Sequence, residues 1–141
     1  MGKFDLSSLF KKEKKLQSPV PLKKNNTRCH LIVDDSDVNR LVLKKYLKNF
    51  TCDEATNGQN AITLVKQDFS KYDYIWMDVK MPVMDGIEAT QILRKLGYKN
   101  NIVGITGMVD TKTNNKCIDA GMNKVIAKPI ELAEILMLVK D

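Results

Sequence analysis

Five polar side chains stand at the ends of short apolar runs in this sequence, and their types suggest one chemistry. HLIV at 30–33 runs into Asp34 and Asp35, YIWM at 74–77 into Asp78, IVGI at 102–105 into Thr106, and VIA at 125–127 into Lys128. Each has an ordinary explanation alone: Asp34 and Asp35 as helix caps, Asp78 as a strand terminator, Thr106 as a turn residue, Lys128 as surface charge. Brought together they could do more. Three crowded carboxylates repel one another and call for a cation, and an all-oxygen donor set suits hard Mg²⁺, for which Mn²⁺ could substitute. With the metal and the Lys128 ammonium present, a phosphoryl group could be held against Asp78 while the Thr106 hydroxyl donates to one of its oxygens. Phosphoryl transfer consists mostly of such positioning and charge neutralisation. Asp78 would then be the nucleophile, forming an aspartyl phosphate.

That chemistry needs the runs to end at one edge, and the segments between them supply the reason. After Asp35, Ser36 can cap a helix carrying Val38, Leu41, Val42, Tyr46, Leu47 and Phe50. Thr51 to Thr56 is a weak second strand, Asn57-Gly58 a turn, and Ala61, Ile62, Leu64 and Val65 mark a second helix. A third helix runs over 87–96 and a fourth over 111–120, with Asp110 as cap and Gly121 just past its end; a fifth covers 131–140. Strand and helix alternate five times, and the strands are short and apolar. The pattern implies an α/β fold, a five-stranded parallel sheet with helices on both faces joined by right-handed crossovers. All strands of such a sheet finish at one edge, where ligands bind.

The segments IVDDSDVNR, WMDVKMPVMDG, GITG and AKPI, in this order and spacing, resemble the response-regulator receiver domain of two-component signalling over about residues 28–141. The resemblance implies a flavodoxin-like, doubly wound (βα)5 fold. It implies that Asp35 ligates Mg²⁺ directly, Asp34 assists through water, and the backbone carbonyl of Lys80 completes the site beside Asp78. Asp78 would accept a phosphoryl group from a phosphohistidine, Thr106 and Lys128 would contact its oxygens, and the Lys128-Pro129 bond would be cis. The sequence departs from the family in three places. Val125 stands where many receivers carry an aromatic residue that rotates on activation. Lys80 and Met108, two residues past Asp78 and Thr106, flank the path of an attacking water, and neither can activate it, so slow loss of the phosphoryl group is expected. No output domain is expected after the fifth helix. A stand-alone signalling module or relay intermediate is expected, monomeric or dimerising on phosphorylation, catalysing its own phosphorylation with no metabolic substrate.

Composition narrows the partners. The chain of 141 residues has a net charge of +6, but residues 1–28 hold eight Lys/Arg against Asp5 and Glu13, and the remainder carries fifteen charges of each sign. A body without basic excess argues against nucleic-acid binding by residues 28–141. The excess lies in residues 1–28, nearly all of it in a basic tail over 1–27 expected to be flexible; a contact through Phe4, Leu6, Leu9 and Phe10 with anionic lipid or an acidic partner is the less favoured alternative. Three cysteines without CxxC spacing and no apolar run near membrane-spanning length point to the cytoplasm. The sole histidine, His30, starts the first strand at the edge away from Asp78, and no Gly-rich nucleotide loop is present. A histidine kinase or a histidine phosphotransfer protein must therefore deliver the phosphoryl group in trans. Two alternatives are an unphosphorylated receiver-like scaffold and a phosphohydrolase, which would need Asp85 as a second acid.

Overall fold

The computed structural model describes residues 29–108 and 110–139. They form β1 (Cys29–Val33), α1 (Asp37–Tyr46), β2 (Thr51–Ala55), α2 (Gly58–Gln67), β3 (Tyr74–Asp78), α3 (Gly86–Leu96), β4 (Asn101–Thr106), α4 (Thr111–Ala120), β5 (Lys124–Ala127) and α5 (Leu132–Val139). All strand pairs are parallel, in the order β2-β1-β3-β4-β5. The chain reverses its direction of travel between β1 and β3, which opens a crevice at their carboxyl ends. The expected doubly wound (βα)5 fold is observed. The expectations for residues 1–27 lie outside the described residues.

Alternation along the strands divides the core in two. Leu31, Val33, Ile75, Met77 and Ile102 pack on one face with Ala61, Val65, Ala89 and Leu93 of α2 and α3 and Cys117 of α4. Ile32, Trp76, Val103, Ile105 and Ile126 pack on the other with Leu43 and Leu47 of the α1 region and Ile135 of α5. Within this second core the Trp76 indole N–H donates to His30 Nδ1 at 3.0 Å, and His30 stacks on Tyr74 at 5.2 Å. His30 is fully buried, as its structural role requires.

Four helices start on capping side chains. Ser36, Asn57, Asp85 and Asp110 accept from the backbone N–H groups of Asn39, Asn60, Glu88 and Thr113. Two details differ from expectation. Asn57 caps α2 and Gly58 is its first helical residue, so the pair forms no separate turn. In α1 the buried stripe is Leu43 and, just beyond the helix, Leu47, while Val38 and Leu41 are 68% and 53% exposed. Apolar residues surround most of this helix, and only docking selects which of them face the sheet. β2 is an edge strand, so Asp53 and Glu54 sit within it and pair with Lys71 and with Arg40 and Lys44.

Thr90 on α3 is fully buried, and its hydroxyl has no hydrogen-bond partner. An unpaired buried hydroxyl costs about 1–3 kcal/mol. Thr90→Val should therefore raise stability by about 1 kcal/mol, read as a higher urea midpoint at unchanged m-value; a lower midpoint would show that the hydroxyl is satisfied in solution.

Candidate phosphoacceptor site

The parallel register delivers the candidate residues to one edge. Asp34 N–H donates to the Ala55 carbonyl at 3.1 Å, Val79 N–H to that of Ile105 at 2.9 Å, and Lys128 N–H to that of Thr106 at 2.9 Å, so the strand ends are tied laterally just where the polar residues begin. Asp34, Asp35 and Asp78 each present an oxygen within 4.8 Å of the others. Lys128 Nζ lies 3.2 Å from Asp78 Oδ1 and 3.9 Å from Asp34 Oδ2. A cleft of about 180 Å³ opens over Asp78, lined by Lys80, Thr106, Gly107, Met108 and Lys128. Every residue singled out in the sequence for this site therefore lies at the one cluster or lines its cleft.

Backbone geometry sets Asp78 in place from below. Gly86 N–H donates to the Val79 carbonyl at 2.9 Å, folding the loop after β3 back on itself. A Cβ at Gly86 would stand 2.3 Å from the Asp78 carbonyl oxygen, so only glycine permits this approach. In the same loop Val83 holds φ at 73° although it is β-branched and 82% exposed. Such a conformation is strained and is tolerated where the surrounding loop imposes it. Asp85, the second acid a phosphohydrolase would need, is engaged as the α3 cap and accepts from Glu88 N–H at 2.8 Å.

The cluster's electrostatics are dominated by burial. Asp34 and Asp78 are 1% and 3% exposed. Desolvation first, and then the adjacent Asp34 charge, push the Asp78 carboxyl from 3.8 up to about 6, against the pull of Lys128. Asp34 Oδ1 accepts from Ser36 N–H at 2.9 Å, whereas its buried Oδ2 has no hydrogen-bond partner. An unsatisfied carboxylate oxygen inside a cluster of acids fits a hard divalent cation.

Two features were not read from the sequence. The Thr106 hydroxyl is engaged by its own loop, accepting from Met108 N–H at 3.0 Å and donating to the Met108 carbonyl at 3.4 Å. The Arg40 guanidinium reaches under the cluster and donates to the Asp34 carbonyl at 2.8 Å. Its only sequence signal was its place in IVDDSDVNR. The Lys128-Pro129 peptide is cis, as the resemblance implied.

Comparison with known proteins agrees with this geometry. The response regulator receiver domain family matches residues 31–140. The chain belongs to that family. This receiver is 34% identical over 111 residues to two-component response regulator 24 of Arabidopsis thaliana, a match covering 77% of the chain and 79% of the plant protein. It is 35% identical over 117 residues to hybrid signal transduction histidine kinase M of Dictyostelium discoideum, across 78% of the chain but 5% of the kinase, so it spans a small part of that relative. Among solved structures it is similar to the CheX–CheY–BeF3–Mg²⁺ complex from Borrelia burgdorferi, with a TM-score of 0.75 at 26% identity over 79% of the chain and 86% of that one. It is also similar to the co-crystal of the Saccharomyces cerevisiae histidine phosphotransfer protein Ypd1 with the receiver domain of Ssk1, with a TM-score of 0.73 at 25% identity over 80% and 86%. As a receiver it is a phosphoacceptor signalling domain. No helix among the described residues is long and apolar enough to cross a membrane.

The raised Asp78 carboxyl has a thermodynamic consequence. A carboxyl that binds its proton more tightly when folded contributes stability below its unfolded value near 4, and this is lost as pH rises through about 6. Without divalent cation, Asp78→Asn should therefore melt higher than wild type by roughly 5 °C at pH 7.5, and the gap should shrink strongly at pH 4.5. Equal gaps at the two pH values, measured by circular dichroism in EDTA, would rule out Asp78 as the titrating group.

Proposed function

We propose that Asp78 is the acceptor of a Mg²⁺-dependent phosphoryl transfer from a phosphohistidine of a partner protein. The observation that carries this is the packing of Asp34, Asp35 and Asp78 against Lys128 at the carboxyl edge of the sheet, beneath an open cleft. In the transfer an Asp78 oxygen forms a bond to phosphorus as the P–N bond of the donor breaks. The electron pair of that bond returns to the donor imidazole. Lys128 balances the charge gathering on the transferred oxygens, and Thr106, once its hydroxyl leaves the Met108 backbone, donates to one of them. Asp34, Asp35, Asp78 and the Lys80 carbonyl would hold Mg²⁺, or Mn²⁺ in its place. Bound there, the cation would screen the carboxylates from one another and from the incoming anion. The Mg²⁺ in the Borrelia CheY complex supports that choice.

Thr106 gives the site its output. Moving its hydroxyl toward the phosphoryl group abandons both bonds to Met108, so the loop leading to α4 must rearrange. A cavity of about 50 Å³ between Thr106, Met108, Asp110, Asn114 and Val125 lies beside that loop, and Val125 does not fill it. The phosphodonor is a histidine kinase or a histidine phosphotransfer protein acting in trans, in keeping with the hybrid kinase relative and with the Ypd1 co-crystal. The same proposal divides the chain into a basic tail over 1–27 and a receiver over 28–141, acting in the cytoplasm, where its three cysteines remain thiols.

Incubation with acetyl phosphate and Mg²⁺ should give one phosphoryl adduct by intact mass. The adduct should be absent in EDTA and in Asp78→Asn, and should form on the order of 100-fold more slowly in Lys128→Ala. An adduct that persists in Asp78→Asn, or forms equally well in EDTA, would refute the assignment. Once formed, the phosphoaspartate should be long-lived, because Met108 and Lys80 at the cleft offer no acceptor for a water proton. Met108→Glu should shorten its lifetime about tenfold; an unchanged decay rate would show that water reaches phosphorus by another path.

A further inference from the structure

We infer that Arg40 is a positioning residue that sets the affinity of the Asp34–Asp35–Asp78 cluster for its cation; the inference rests on those carboxylates being the metal ligands. Arg40 lies near the start of α1, yet its side chain is only 12% exposed and all three guanidinium nitrogens are engaged. Nη1 donates to the Asp34 carbonyl at 2.8 Å, Nε to Glu54 Oε1 at 2.8 Å on β2, and Nη2 to Asp37. Lys44 Nζ holds the other Glu54 oxygen at 2.8 Å, so the anchor on the edge strand is itself fixed. A planar fork spanning three acceptors in different directions is something an ammonium cannot reproduce.

The target of Nη1 explains why this matters. The Asp34 carbonyl belongs to the peptide that joins Asp34 to Asp35, so fixing it fixes the plane from which both side chains depart. Asp34 is further secured through its N–H to Ala55 and its Oδ1 to Ser36. Asp35 is exposed and depends more heavily on that peptide for its direction. Groups that orient metal ligands from behind typically change metal affinity by 10-fold or more when removed.

The sign of the effect separates positioning from simple charge. Arg40 is a cation close to a cation site, so by Coulomb's law alone its removal should tighten metal binding. Positioning predicts the reverse. Mg²⁺ titrations by calorimetry should show binding on the order of 10-fold weaker in Arg40→Ala, with Arg40→Lys failing to restore it. Acetyl phosphate labelling should show the same shift in the Mg²⁺ concentration needed for half-maximal rate, with the saturating rate within about twofold of wild type. Melting in EDTA establishes that each variant is folded. Tighter or unchanged Mg²⁺ binding in folded Arg40→Ala, or full rescue by Arg40→Lys, would overturn the inference. Asp35→Asn tests the assignment beneath it: if that variant binds Mg²⁺ as wild type does, the ligand assignment falls and the inference with it, whereas loss of binding in Asp35→Asn together with normal binding in Arg40→Ala would remove the inference alone.

Discussion

Repulsion between buried carboxylates is the constraint on which the rest of this structure turns. Two unit charges at the spacing found within the acidic cluster, up to 4.8 Å, repel by about 3 kcal/mol at an effective dielectric near 20. That is a large share of the roughly 5–15 kcal/mol that keeps a domain folded. The fold meets part of this cost with Lys128, whose ammonium lies within 4 Å of two of the acids, while burial and then the remaining repulsion raise the Asp78 carboxyl. The crowding leaves an acidic cluster of the kind that suits a hard divalent cation. The parallel sheet is the device that enforces the crowding, because it leaves the ends of β1 and β3 side by side and facing the same way.

The segment after β3 is constrained by its backbone. Val83 keeps a left-handed backbone, and Gly86 admits the Asp78 carbonyl to a distance at which no side chain could stand. Val83 lies in the segment between β3 and α3, and Gly86 is the first residue of α3. Thr106 is held differently, by two bonds to the Met108 backbone of its own loop.

Much of this was legible from residue patterns. β1, β3 and β4 are apolar runs buried between two helical layers and β5 is a half-buried edge strand; the candidate site residues end β3 and β4 and directly follow β1 and β5. β2 was weaker because an edge strand can carry Asp53 and Glu54 in ion pairs, which breaks the apolar signal. The orientation of α1 was not legible, since Val38 and Leu41 are as apolar as Leu43 and Leu47 and only the shape of the sheet distinguishes them. Arg40 was missed for a related reason: its value lies in a carbonyl and a glutamate brought to it by folding. Asn57-Gly58 fits a turn or a helix start equally well; the pair starts α2, and the close approach of Met84 and Ala89 to Gly58 leaves no room for a side chain there.

The burial of His30 has a practical meaning for reconstituted signalling. The chain has one histidine, and its Nδ1 is occupied by the Trp76 indole in the interior of the second core, far from any phosphodonor. The folded receiver is therefore blank with respect to phosphoimidazole. In a mixture of purified components, acid-labile, alkali-stable label can be assigned to the donor without separating the proteins, and hydroxylamine-sensitive label tracks the acyl phosphate. The direction and reversibility of flow between the two could then be followed in a single tube.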